Sequence, residues 1–170
     1  MSAPYHGRLA PLAVPAECAA QAARWKLLGQ APWLVLGVPA YRLRLWAGNG
    51  FDPDDFLRWP FVLAMDFERE PDGRGLAERL VADMRRAGRC SLAQAEQWLA
   101  KLYQAFTLVK AQDRISAEHD GQAEIRFCHN GVPVLSVQDA DFARLFFGLW
   151  LSAGATQPAL RAALMGAATA

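Results

Sequence analysis

Between Leu108 and Val137 the chain carries two dipeptides, Asp120-Gly121 and Asn130-Gly131, each set between runs of strand-forming residues. Asp-Gly and Asn-Gly supply the positive φ angles that two-residue hairpin turns demand. The runs Leu108 to Ala117, Ala123 to Cys128 and Val132 to Val137 are therefore expected to form a three-stranded antiparallel meander. Pro133 has no amide hydrogen to give to a ladder, which puts it at a sheet edge or beside the turn.

The first half of the chain alternates in the same way. Leu34, Val35 and Leu36 precede Gly37, and Tyr41, Leu43 and Leu45 then alternate with Arg42 and Arg44, a strand pattern with two arginines on a solvated face. Gly48 to Asp55 holds glycines, Asn49, Pro53 and three aspartates, which is loop chemistry. Phe61, Leu63, Met65 and Phe67 then share one face of a second strand, with Asp66 and Glu68 on the other. After Pro71-Asp72-Gly73 the spacing turns helical. Leu76, Leu80, Met84 and Ala87 lie on one face, Glu78, Arg79, Asp83 and Arg86 fall elsewhere, and Gly88 marks the stop. Ser91, three residues before Gln94, opens a second helix with a capping box, its inward face being Leu92, Ala95, Leu99, Leu102 and Phe106. Asp139 and Asp141 open a strongly apolar helix containing Phe142, Leu145, Phe146, Leu149 and Trp150. Thr156, with Pro158 just inside, starts a short last helix through Leu160 and Leu164. Strands in hairpins and helices in pairs define an α+β class, a mainly antiparallel sheet with helices packed on one face.

Composition narrows the function more by exclusion than by assignment. With 170 residues and 53% hydrophobic content, one core is the expectation. Residues 1–24 are read as a mobile Ala/Pro-rich arm and 25–170 as the domain. The apolar run Leu9 to Ala16 after Arg8 is broken by two prolines and followed by Glu17, so it makes no convincing signal peptide, and a cytoplasmic location follows from the chain as written. Eighteen basic residues against seventeen acidic ones, with no long run of either sign, lack the electrostatic footprint of a nucleic-acid binder. No apolar stretch approaches the roughly 20 residues that cross a bilayer, so integral membrane association is not expected. Cys18, Cys90 and Cys128 are widely spaced, without a Cys-x-x-Cys pair, and read as reduced thiols.

A catalytic centre is hard to find among these residues. Asp66, Glu68 and Glu70 are candidates for acid/base work, but they alternate along the polar side of a strand, which is read as a solvated face. Asp52, Asp54 and Asp55 crowd one loop without the central glycine and closing Glu of a calcium loop. His119 and His129 flank a hairpin, and Cys128 and His129, as neighbours on a strand, point to opposite faces and do not chelate one metal. Gly-x-Ser-x-Gly, phosphate-cradling and His-Glu-x-x-His motifs are absent from the sequence. Neither a metal nor another cofactor is expected. Six tryptophans and nine phenylalanines supply core, and a sheet with one roofed face is a natural place for an apolar pocket.

The carboxyl-terminal run of Asn130-Gly131, Asp139-Ala140-Asp141-Phe142-Ala143-Arg144-Leu145-Phe146-Phe147-Gly148-Leu149-Trp150-Leu151 and Gln157-Pro158-Ala159-Leu160-Arg161-Ala162-Ala163-Leu164-Met165-Gly166 resembles the bacterial chalcone isomerase-like proteins. Weaker likeness runs upstream through Trp25 to Gly29, Tyr41, Trp59-Pro60-Phe61, Ala77-Glu78-Arg79 and Met84-Arg85-Arg86. The resemblance implies an open-faced β-sandwich, a large antiparallel sheet under a layer of helices with a cleft between. In the plant enzymes an arginine, a threonine, a tyrosine and an asparagine line that cleft; the fatty-acid-binding relatives hold a carboxylate with an arginine and a tyrosine. Carried over by position, the arginine falls in Gly29 to Trp33, where there is none, the threonine near Tyr41, the tyrosine near Leu76 and the asparagine near Asp83. Leucine cannot hydrogen-bond a ketone or its water, and a carboxylate repels a phenolate.

The expectation is therefore a non-catalytic chalcone isomerase-like protein holding a small apolar molecule between sheet and helices. Tyr41, Leu76, Leu80, Asp83 and Phe142 are the expected lining, with the Tyr41 hydroxyl as the polar handle. The competing readings are an isomerase or lyase with relocated catalytic groups, and a protein-interaction domain with a filled core and an unidentified partner. Relatives in bacteria often carry a signal and work in the periplasm, a location the resemblance implies for this chain by analogy.

Overall fold

A computed structural model of the chain describes residues 25–155 and 157–166. The arm at 1–24, with Cys18, and the helix start at Thr156 lie outside the described residues. Six strands form one sheet in chain order, every neighbouring pair antiparallel: β1 (Lys26–Val35), β2 (Val38–Ala47), β3 (Pro60–Asp66), β4 (Arg114–Asp120), β5 (Glu124–His129) and β6 (Val132–Gln138). Helices α1 (Gly73–Ala87) and α2 (Leu92–Phe106) form a hairpin between β3 and β4, while α3 (Ala140–Leu151) and α4 (Pro158–Leu164) follow the sheet. This is the α+β arrangement of a lidded open sheet. Leu43, Leu45, Phe61, Leu63, Met65, Ile115, Ala117, Ile125 and Phe127 fill its inner face and join the helices in one core.

Local chemistry explains most element boundaries. Asp72 caps α1 by accepting from the Gly75 amide at 3.0 Å, and Ser91 and Gln94 complete a reciprocal capping box at the start of α2. Asp139 accepts from the amides of Asp141 and Phe142 and its other oxygen from the Trp98 indole at 2.9 Å, which ties α2 to the first turn of α3. Eight of the twelve α3 residues are buried, from Phe142 to Leu151, because this helix touches neighbours on most sides. Phe147 meets Phe61 of β3 edge to face at 4.6 Å, and Phe146 meets Phe127 of β5 at 5.5 Å.

Two sequence expectations are corrected here, and a third, the stop at Gly88, holds with a different geometry. The strand expected from Leu108 begins only at Arg114, since Leu108 to Asp113 form a turn in which Gln112 has φ +73° and its amide bonds the Phe67 carbonyl at 2.6 Å. Gly88 ends α1 in an extended conformation, with φ −165°, so its glycine is not needed for a left-handed cap. A Cβ there would press on the tip of the Leu145 side chain of α3, which would have to shift. The outer sheet face is not simply solvated. Arg44 and Arg114 are 6% and 3% exposed and both pair with Asp66, and Trp25, Trp46 and Val62 form a second apolar cluster on the same face. Asp66 is therefore a structural counter-ion.

One close approach sets the position of β1. A Cβ on Gly29 would overlap the Ala163 and Leu164 carbonyls, so the end of α4 lies directly on the β1 backbone. Neither partner is a flexible side-chain tip. Gly29→Ala is expected to destabilise the protein by about 1–3 kcal/mol through this overpacking, read as a lowered urea midpoint with unchanged slope. An unchanged midpoint would show that α4 yields freely.

Candidate functional site

Tyr41 is the centre of the arrangement. It stands on the inner face of β2, 3% exposed, stacked on Trp33 of β1 with ring centroids 6.2 Å apart and tilted against Phe67 at 5.6 Å. Burial raises the pKa of its phenol far above the usual value. The Trp150 indole and the Arg79 charge act the other way, and the Asp83 charge acts with the burial. The hydroxyl is thus a donor and not a phenolate at any physiological pH. The Trp150 Nε1 is enclosed beside it and acts on the Tyr41 oxygen as a donor, although the pair falls short of good hydrogen-bond geometry.

α1 closes the other wall. Its residues Leu76, Arg79, Leu80 and Asp83 recur at three- and four-residue spacing, so they share a face and point across to Tyr41. A narrow recess of ≈ 30 Å³ is lined by these four with Trp33, Tyr41 and Trp150 among others. Beside it, sharing Val35, Ala40, Tyr41, Leu76 and Arg79, lies a more open crevice of ≈ 280 Å³, walled also by Pro39 and Phe67, with Arg69, Glu70 and Asp72 around it. That volume lies near the lower end of the ~300–1,000 Å³ usual for small-molecule sites.

Four of the five expected lining residues, Tyr41, Leu76, Leu80 and Asp83, are brought together at this recess. Phe142 is not. It is fully buried on α3, stacked on Phe146 and against Trp98 and Phe127, and contributes to the core instead. Asp83 is engaged with Arg86 one turn away, so its charge is already partnered. The residue that sequence reasoning missed is Arg79, placed off the apolar face by hydrophobic spacing yet lining both recess and crevice. The signal was available: Arg79 lies three residues after Leu76 and four before Asp83, both of which had been assigned to the lining. The β1 stretch Gly29 to Trp33 holds no arginine, but α1 brings a guanidinium to the mouth from the other side.

The remaining titratable candidates lie elsewhere. Among the described residues no three His, Cys, Asp or Glu side chains gather as a metal site. Asp54 pairs with Arg161 at 2.8 Å and Asp55 with Arg58 at 3.1 Å. His119 is buried with Nδ1 3.1 Å from the Trp59 carbonyl oxygen, and His129 meets Asp113 at 2.7 Å at the opposite end of the β4–β5 hairpin. Glu70 is paired with Lys110. Cys90 is a half-buried free thiol, and Cys128 lies buried on β5. No helix among the described residues is long and apolar enough to cross a membrane.

An antiparallel sheet under a helical lid, with a partly apolar crevice at the junction, defines a class of lidded-sheet proteins with a site between the layers. The family described as chalcone isomerase-like matches residues 62–166, more than half of the chain, and the chain belongs to it. No curated protein sequence matches significantly. Among solved structures, a fatty-acid binding protein of Arabidopsis thaliana superposes with a TM-score of 0.65 at 12% identity, over 84% of this chain and 87% of that one. At that identity the likeness is one of fold.

Proposed function

We propose that the protein binds, without catalysis, a small apolar molecule with an oxygen-bearing end in the crevice between β1–β2 and α1. The observation that carries this reading is the space of ≈ 280 Å³ lined by Val35, Pro39, Ala40, Phe67 and Leu76 together with the buried Tyr41. An apolar wall favours a hydrocarbon body, and a neutral donor, the Tyr41 O–H, favours an acceptor oxygen at its inner end. Arg79 at the mouth offers a cation to a more polar group of the ligand. The lining proposed is Tyr41, Leu76, Leu80 and Asp83 with Arg79 added. The fatty-acid-binding relative of the same fold supports a ligand of this general kind.

A reading as isomerase or lyase draws less support. A base poised to take a proton is what the crevice lacks, since Tyr41 is held protonated and Asp83 is engaged with Arg86. Native mass spectrometry of the purified protein, followed by titration with medium-chain fatty acids and fatty alcohols, tests the binding. The wild type is expected to retain or take up one such molecule. Leu76→Trp, which fills the crevice from a half-buried position, is expected to weaken binding at least ~10-fold while leaving the circular dichroism unchanged. If no probe binds to the wild type, or Leu76→Trp binds equally well, the crevice is not a ligand site.

A further inference from the structure

The β1–β2 hairpin closes through a two-residue turn, Leu36-Gly37, between the paired Val35 and Val38. Both central residues have positive φ, +51° and +78°. The same turn is built a second time in this protein, at Asn130-Gly131, with φ +50° and +83° between the paired His129 and Val132. Such turns favour Asn or Asp at the first position, and a bulky side chain there is strained. Asn130 suits its turn and also works inward, accepting from the Arg114 amide and donating to Asp113. Leu36 does neither: it is 99% exposed. Folding gives no reason for a leucine in that place, so the reason lies outside the fold.

Its neighbours extend the pattern. Leu34 and Val38 are 43% and 46% exposed, so the tip is an apolar projection, and Val35 and Pro39 from the same hairpin wall the crevice. Arg69 and Arg79 at the crevice and Arg42 in the small recess under Pro39 have no ion-pair partner among the described residues. Of the carboxylates around them, Glu70 is paired with Lys110, and Asp72, which caps α1 through a neutral amide, and Glu68 keep their charge, so three guanidiniums face two carboxylates. Positive charge thus surrounds an exposed apolar tip, which complements an anionic lipid surface: the tip enters the boundary between headgroups and acyl chains, and the arginines meet lipid phosphates. We infer that the Leu34–Val38 hairpin tip is a membrane-surface docking element that brings the mouth of the crevice against an anionic bilayer. The association is peripheral and stands whether or not the crevice carries a ligand.

Flotation of the full chain with vesicles of phosphatidylcholine alone, or mixed with an equal share of phosphatidylglycerol, tests this. The wild type is expected to float with the mixed vesicles, less with phosphatidylcholine, and less again as salt is raised. Leu36→Asn installs the residue that the second hairpin already uses, so the fold is retained while vesicle partitioning falls at least ~10-fold. Arg69→Gln is expected to reduce binding to mixed vesicles only. Leu76→Trp is expected to leave vesicle binding unchanged, so the ligand reading and the docking reading fail separately. Equal partitioning of Leu36→Asn and wild type would overturn the inference. So would Leu36-dependent self-association without lipid in a wild type that ignores vesicles, which would assign the tip to a protein contact.

Discussion

Replacing Asp66 by alanine is expected to lower the unfolding free energy by about 3–5 kcal/mol, because it removes the counter-ion of two buried cations. Asp66 Oδ1 accepts from Arg114 Nε at 2.6 Å, Oδ2 accepts from Arg114 Nη2 at 3.1 Å, and the same carboxylate pairs with Arg44. In the ladder Asp66 sits directly opposite Arg114 on β4 and Arg42 on β2, so one side chain joins three adjacent strands. Alanine leaves the Arg44 and Arg114 charges close together at 7% and 3% side-chain exposure, where water screens them poorly. Urea unfolding checks the loss as a lowered midpoint at constant slope. Arg44→Met in the Asp66→Ala background should recover part of it by removing one of two like charges. A loss below ~1 kcal/mol, the range of exposed pairs, would mean that the triad is solvated in solution.

Phe146→Ala is the second large effect, at about 3–5 kcal/mol. The ring is fully buried in the middle of α3. It lies parallel to Phe142 at 5.3 Å and meets Phe127, Phe147 and Trp150 edge on at 5.5, 5.2 and 5.1 Å. Truncation leaves a cavity between helix and sheet that these rigid rings cannot refill, so the loss combines hydrophobic transfer with lost dispersion contacts. Thermal and urea unfolding measure it, and Phe146→Leu should cost less than half as much. A loss below ~1.5 kcal/mol for the alanine variant would show that α3 can shift to close the gap.

The two core layers were legible because their signals are local. Alternation marked Tyr41 to Leu45 and Phe61 to Met65, and hairpin dipeptides marked the β4–β6 meander. Ser91 and Asp139 marked helix starts, each using a side chain within three residues of the groups it satisfies, and Asp72, read only as part of a turn, caps α1 in the same way. Local pattern overreached at Leu108, where an apolar residue continues the strand spacing but Gln112 turns left-handed and stops it. The β1–β2 turn was hidden for the opposite reason: Leu36-Gly37 does not look like a turn, yet it adopts the same angles as Asn130-Gly131.

The candidate site was legible only in part. Tyr41, Leu76 and Asp83, positions that the family resemblance singles out, meet with Leu80 at one recess, whereas Phe142 faces the core. Hydrophobic spacing separates apolar from polar positions, but a crevice is lined by both, so it could not rank Arg79 beside Leu76. Alternation likewise gave Arg44 and Asp66 a polar face without saying what lies near them.

From the residues alone came the α+β class, the hairpin order, the helix caps and the poverty of catalytic motifs, since each depends on groups a few positions apart. Only the tertiary structure decided that Arg44 and Arg114 share the Asp66 carboxylate, that Arg79 and Tyr41 line the same crevice, and that Leu36 stands almost wholly in solvent. These depend on pairings between strands and helices distant in the chain, and on burial, which is a property of the packed molecule and not of any segment within it.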